Sequence, residues 1–368
     1  MTNAAVPFSQ YMQDALYGEN GYYMAARTRF GRAGDYYTSA QVSPVFGELW
    51  ARFFDSRVHG DSLAIVEVGA GDGDFAASVL TELVRIAKVP IRYAALELSP
   101  VGRERTQNKL RRIAADAPFG RLTGNVYATL AELHAREPTA YAGGIVFANE
   151  WLDAIPCEVL RVSRAGGVER LWVVEGRRTA AAKAGPFCGE RLDTMWQPTM
   201  DAQIKAYADR WILPLFAALR DDPPDWLVAE AAPQCDQALS RLVEALAPSC
   251  VALVDYGGYS IDVVGVDRPR GSLRAYREHR LVDDFIDLQG RVDLTYDVDF
   301  GPVRERFEQY GYTVDLTKQG MFLVRLPFFE KVVSARAATD ARVYQNIKTL
   351  VMPGAMGERF MVLLAERG

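Results

Sequence analysis

The chain has 368 residues, 49% of them hydrophobic, and a formal net charge of −5. That length suits one large domain with insertions, or two, around a sizeable core, and the negative balance excludes a general attraction to nucleic acid or acidic membrane. No apolar run approaches the ~20 residues that span a bilayer and no basic region leads an apolar one at the N-terminus, so a cytoplasmic protein is expected.

Residues 1 to 60 are too aromatic for a tail. Phe8, Tyr11, Met12, Leu16 and Tyr17 recur at helical spacing, and the glycines between Tyr17 and Tyr23 read as a turn. A loop from Phe30 to Ser39 joins glycines, tyrosines and hydroxyls, then Ser43 caps a helix over 45–54 with Pro44 in its first turn. Two readings stand: a lid in which Tyr37, Thr38 and Ser39 touch ligand or substrate, or a helical layer packed on a sheet.

From 61 to 150 strands and helices alternate: strand 63–68, helix 74–87, strand 91–97, helix 100–113, a weak strand near 123–127, helix 129–136 and strand 144–148. Such βαβ units build a parallel sheet with helices on both faces and ligands beyond the carboxyl ends of the strands. The first strand breaks into Gly69, Gly71 and Gly73 before helical spacing resumes at Phe75. A dinucleotide fingerprint needs Gly-x-Gly-x-x-Gly. Here the third glycine comes one residue early, and Asp72 and Asp74 would repel a pyrophosphate. A Glu67-x-Gly-x-Gly-x-Gly73 loop instead suits a ligand without phosphate and with cationic groups, as in S-adenosylmethionine. Glu97, at the end of the second strand, stands where such units bind ribose hydroxyls. The fourth strand delivers Asn149, Glu150 and Asp153 to the same edge, where two carboxylates could fork a guanidinium or hold an ammonium.

After Pro156 the alternation of 158–174 around Gly166-Gly167 reads as a hairpin. Residues 176–249 read as mainly helical, an insertion at the ligand edge suited to substrate recognition. A fifth strand begins at Val251 and brings Asp255 and Tyr256 to the acceptor side. The stretches 271–279 and 293–300 read as site loops, with Arg274 and His279 as candidate substrate contacts. A helix (303–310), a strand (312–316), helices over 328–350 and a last strand from Arg359, antiparallel to its predecessor, complete the chain. Cys157, Cys188, Cys235, Cys250 and the three histidines are scattered, so reduced thiols and no metal site are expected.

The chain resembles, from end to end, the MidA-type family of S-adenosylmethionine-dependent methyltransferases, which includes the mitochondrial methyltransferase needed to assemble respiratory complex I. The resemblance rests on Phe8-x-x-Tyr-Met12, Gly21-Tyr-Tyr23, Gly34-Asp-Tyr-Tyr-Thr-Ser39, Glu67-x-Gly-x-Gly-x-Gly73, Ala148-Asn-Glu-Trp-Leu-Asp-Ala-Ile-Pro156, Asp255-Tyr-Gly257, Gly271-Ser-Leu-Arg-x-Tyr276 and Met356-Gly-Glu-Arg-Phe360. It implies an α/β fold of class I (Rossmann-like) type: a seven-stranded, mostly parallel sheet with a helical N-terminal layer and an inserted substrate region. The corresponding division is 1–60, 61–156, 157–249 and 250–368. Glu67, Gly69, Gly71, Gly73, Glu97, Leu98 and Asn149 would bind the donor. Asn149, Glu150 and Asp153 would serve the chemistry, gripping an arginine guanidinium as the acidic loops of other arginine methyltransferases do. Ala40-Gln41 stands where Pro-Glu is expected, and Tyr296-Asp297 where Ala-His is expected. These loops face the substrate, so a small-molecule acceptor, or an assembly factor without turnover, stays open beside a protein acceptor. A second copy of the chain is one expected partner; nucleic acid and membrane are not.

Overall fold

A computed structural model describes residues 5–25, 39–58, 60–118, 120–175, 192–219, 224–338 and 342–367. In chain order, β1 (Ala5–Pro7) and α1 (Phe8–Tyr17) are followed by α2 (Ser39–Val42), α3 (Pro44–Asp55), β2 (Leu63–Val68), α4 (Asp74–Ile86), β3 (Ile91–Leu96), α5 (Pro100–Asp116), β4 (Leu122–Tyr127) and β5 (Ile145–Asn149). Next come β6 (Glu158–Ser163), β7 (Val168–Glu175), β8 (Leu192–Pro198), β9 (Trp226–Ala231) and β10 (Cys250–Gly258). The last strands are β11 (Arg274–Arg277), β12 (Arg280–Leu281), β13 (Asp293–Thr295), β14 (Val298–Asp299), β15 (Thr313–Lys318) and β16 (Phe360–Glu366).

The β-branched run of β2 is buried on both faces because it is central. The main sheet runs β15-β16-β10-β5-β2-β3-β4, and β14 adds a short parallel pairing at the end of β10. Strands β10, β5, β2, β3 and β4 are parallel, whereas β16 is antiparallel to both β10 and β15. The fold is thus of the class I methyltransferase type expected from the sequence. Strand order reverses about β2, with β3 on one side and β5 on the other, and such a reversal opens a crevice at the carboxyl ends of the strands.

One face of this sheet is covered by α3, α4 and C-terminal helices. Ser43 caps α3 by accepting from the Val45 amide, and Trp50 and Phe54 of that helix meet Phe147 of β5. Phe75 stacks on Phe147 at 4.1 Å between centroids. Leu239, Leu242 and Leu246 of helix Pro233–Leu246 pack on the other face beside Val66 and Val146.

The N-terminal aromatic segment divides between two cores. α1 buries Phe8, Met12 and Leu16 against Val159, Leu171 and Val173 of a second, antiparallel sheet, β1-β7-β6-β9 with β8 on β7. The hairpin β6/β7 forms as the alternation predicts, with Leu160 opposite Arg170. The helical reading of 176–249 is corrected at 192–198 and 226–231, which are strands. Trp226-Leu-Val-Ala-Glu-Ala231 contains helix-forming alanines, but its ladder with β6, from Glu158↔Ala231 to Ser163↔Trp226, overrides local preference. The stretch 271–279, read as a loop, supplies β11 of a small sheet ordered β12-β11-β13.

Gly73 caps α4 in the left-handed region, at φ 75°. A Cβ there would lie 2.7 Å from Thr106 Oγ1 and 2.9 Å from Thr106 Cα. We expect Gly73→Ala to lower the melting temperature measurably, the backbone conformation alone costing about 1–2 kcal/mol. An unchanged thermal melt would refute both the backbone strain and the clash with α5.

Candidate active site

β2 ends in a turn through Gly69, Gly71 and Gly73, whose φ values of 73°, 55° and 75° favour residues without a Cβ. Beyond it lies a cavity of about 430 Å³, walled by this loop, by Leu96 to Ser99 after β3, by Ala128 to Leu130 after β4 and by Asn149 to Trp151 after β5. Four strand ends converge there because the sheet is parallel.

Its polar groups are mostly acceptors. Glu97 accepts from the Gly71 amide through Oε2 and from the Ser99 amide through Oε1, each at 2.7 Å. A carboxylate oxygen so engaged retains a lone pair for a sugar hydroxyl. Leu98 beside it is 48% exposed, an apolar side chain on the wall where a planar base needs cover. Glu67 is buried, accepts from Tyr93 Oη at 2.7 Å and is pushed up to about 8 by burial. Asn149 donates through Nδ2 to Glu150 at 2.7 Å, while its Oδ1 is buried without a hydrogen-bond partner.

An orphaned acceptor and buried carboxylates need a ligand that brings donors or positive charge. The acids that argue against a pyrophosphate are engaged by α5: Arg105 pairs with Asp72 at 3.0 Å, and Lys109 pairs with Asp74. Gln41 of α2 also donates to Asp74, at 2.8 Å. The residues present therefore fit a nucleoside carrying an ammonium and a sulfonium. Glu97→Ala removes a charge-assisted bond worth about 1.5–3 kcal/mol, so calorimetry should show donor affinity falling roughly 10- to 100-fold. Unchanged affinity would refute the ribose role.

The turn after β5 carries the acids. Glu150 is half-buried, lines the cavity and adopts φ 53°, an uncommon conformation for a residue with a Cβ. Its Oε1 accepts from Asn149 Nδ2 and from the Ser39 amide at 3.2 Å, both neutral donors. Burial, with the charge of Asp153 added, pushes it up to about 8.

Several expected substrate contacts prove to be supports, and those assignments are corrected here. Asp255 is 1% exposed and spends Oδ2 on the amides of Trp151, Leu152 and Asp153 at 3.1, 2.8 and 3.3 Å, so it holds the acidic turn from below. Asp153 is buried, accepts from Thr295 Oγ1 at 2.6 Å and does not line the cavity. Burial raises both aspartates, and the charge of Asp153 adds to the rise at Asp255. Tyr256 packs on Phe360 at 3.9 Å between centroids and lies outside the cavity lining. Arg274 lies 5.7 Å from the Tyr256 centroid and pairs with Asp297 at 2.6 Å. His279 and Glu278, at φ 61° and 52°, form the exposed two-residue turn between β11 and β12, which requires positive φ at both positions. Tyr37 and Thr38 lie outside the described residues.

The unexpected pair Tyr296-Asp297 has a structural use. Tyr296 Oη lies 2.9 and 3.0 Å from the carbonyls of Leu152 and Ile155 and donates to that pair, bracing the acidic turn. Sequence reasoning missed Tyr17 and Tyr23, which line the cavity with stacked rings 5.5 Å apart. They donate to the Ala154 carbonyl and to Asp293. Their glycine-flanked turn was legible, but not its neighbour. Arg241 and Leu242 also line the cavity, brought by a helix that carries no local signal of ligand contact.

The profile of a family described as S-adenosyl-L-methionine-dependent methyltransferase matches residues 46–317. Among curated proteins, the mitochondrial protein arginine methyltransferase NDUFAF7 homolog of Drosophila melanogaster is 25% identical over 395 residues, covering 99% of this chain and 82% of that one. Human mitochondrial NDUFAF7, named protein arginine methyltransferase, is 24% identical over 380 residues, covering 96% and 78%. Two crystal structures from Burkholderia thailandensis share the fold. One, bound to S-adenosyl-homocysteine, has TM-score 0.80 at 24% identity and covers 99% of this chain and 88% of that one. The other has TM-score 0.77 at 25% identity and covers 99% and 87%.

The cytoplasmic expectation is overturned by these names, since the animal relatives are mitochondrial proteins; composition carries no address. Among the described residues no helix is long and apolar enough to cross a membrane, and no cluster of His, Cys, Asp and Glu could hold a metal.

Proposed function

This chain belongs to the S-adenosyl-L-methionine-dependent methyltransferase family, and from that premise we propose that its acceptor is an arginine guanidinium in a protein, held by Glu150. The observation that carries this reading is a half-buried carboxylate on the cavity wall whose hydrogen-bond partners are both neutral. A guanidinium would satisfy it and restore its ionised form. The names of the relatives support the same acceptor class.

The donor supplies a methyl group on a sulfonium, and the chain's work is alignment. Gly69, Gly71 and Gly73 would let the backbone approach the donor. Glu97 would take the ribose and Leu98 the base. Glu67 and the free Oδ1 of Asn149 would accept from the donor's ammonium. Glu150 would fix the acceptor and localise its charge away from the attacking nitrogen. One proton leaves the acceptor nitrogen per transfer, and Glu150 would take it. Asp153, behind it, would add negative potential rather than direct contact. Ser39 would act through its amide on Glu150.

The test is transfer of label from S-adenosylmethionine into a lysate of cells lacking this chain, followed by hydrolysis of the protein fraction. Labelled methylarginine that is absent with Glu150→Gln is expected. Label confined to small molecules would overturn the protein reading, and labelled protein without methylarginine would overturn the arginine.

A further inference from the structure

Between residues 268 and 280 the chain carries Arg268, Arg270, Arg274, Arg277 and Arg280 with one acid among them, Glu278, which lies 3.8 Å from Arg277, while Asp267, Asp283 and Asp284 stand at the two ends. In a chain of net charge −5 this is a local reversal of sign. Arg270, Arg277 and Arg280 are exposed. Arg268 and Arg274 share the one carboxylate of Asp297, which balances only one of their two charges.

The position of this strip gives it meaning. β11 pairs with β13 through Arg274↔Thr295, and Thr295 donates to Asp153 of the acidic turn. Tyr23, on the cavity wall, donates to Asp293 of the same strand. β12 lies two strand spacings from β13, roughly 10 Å, so the arginines begin beside the acidic turn and run outward to an exposed rim.

We propose that this strip is a docking surface for an acidic segment of the acceptor protein, flanking the methylated residue. The proposal rests on the reading that the acceptor is a protein. Guanidinium groups fork carboxylates with charge-assisted bonds. The two neighbouring sites have opposite sign: Glu150 and Asp153 repel an acidic side chain and favour a cation, while the strip does the reverse. An acceptor with an arginine beside acids is thereby oriented, and one flanked by cations is rejected.

The experiment uses the full chain and two fluorescent peptides, each with one arginine, flanked by a run of glutamates or of glutamines. Anisotropy should show the glutamate peptide bound on the order of tenfold more tightly at low salt, with the advantage vanishing at high salt. The double variant Arg277→Glu, Arg280→Glu should erase that preference while leaving donor affinity and turnover of the glutamine peptide unchanged. Equal binding of the two peptides, or a preference that survives in the variant, overturns the proposal. So does tighter binding of an oligonucleotide of equal charge. A glutamate peptide that binds through the strip but gains no methyl on its arginine would instead sink the acceptor assignment and leave the docking surface standing.

Discussion

Glu150→Gln should keep the fold and bind S-adenosylmethionine, yet lose methyl transfer by about 10²–10³-fold, the usual cost of removing one group aimed at transition-state charge. The glutamine retains an oxygen for the Asn149 and Ser39 donors and removes only the ionisable group. Single-turnover rates and donor affinity from calorimetry would separate the two effects. A rise in donor Kd that accounts for the whole loss would place Glu150 on the donor instead. The variant should also change the pH dependence of stability. Glu150 and Glu67 are pushed up to about 8 in the folded chain, against about 4.3 when unfolded. The folded state therefore holds more protons between those values, and stability falls as pH rises through the window. Other raised carboxyls, Asp153 among them, act in the same direction; Glu150→Gln removes one contribution, so its denaturation midpoint should decline less steeply over that range.

Asp255→Ala should be the most destabilising change at the site. Three backbone amides lose their shared acceptor inside a buried turn, and each unsatisfied donor costs about 1–3 kcal/mol. Relief of repulsion with Asp153 and Glu150 offsets part of this, so a net loss on the order of 3 kcal/mol is expected in chemical denaturation. Asp255→Asn keeps an acceptor oxygen and drops the charge, and should fall far closer to the wild type. Equal stability of all three would mean that the turn holds itself together without β10. Transfer should fall in the alanine variant even where the chain remains folded, because Glu150 sits on that turn.

The glycine-loop side of the cavity was legible in the residues because each of its signals is local. A buried strand breaking into glycines at alternate positions dictates a left-handed turn and a close backbone approach wherever it occurs. Glu97 follows from the length of one βαβ unit. The acceptor half was read less well. Asn149 and Glu150 lie on the cavity wall, but Asp255 and Arg274, polar residues that also read as facing the acceptor, turned out to be a brace and half of an ion pair. Nothing in Val251-Ala-Leu-Val-Asp255 tells that its carboxylate will meet Leu152, 103 residues earlier. That contact exists because β10 pairs with β5. The strands β8 and β9 escaped for the same reason, since each is fixed by a ladder with another strand, and in β9 that ladder outweighed helix-forming alanines.

The sequence by itself determined the parallel α/β sheet and the glycine loop at its carboxyl edge, because periodicity and glycine spacing act over a few residues, and its motifs carried the resemblance to a methyltransferase family. Only the tertiary structure decided which carboxylates face the cavity and which support it. Burial and hydrogen-bond partnership depend on strands that meet across a hundred residues, and no local pattern encodes them.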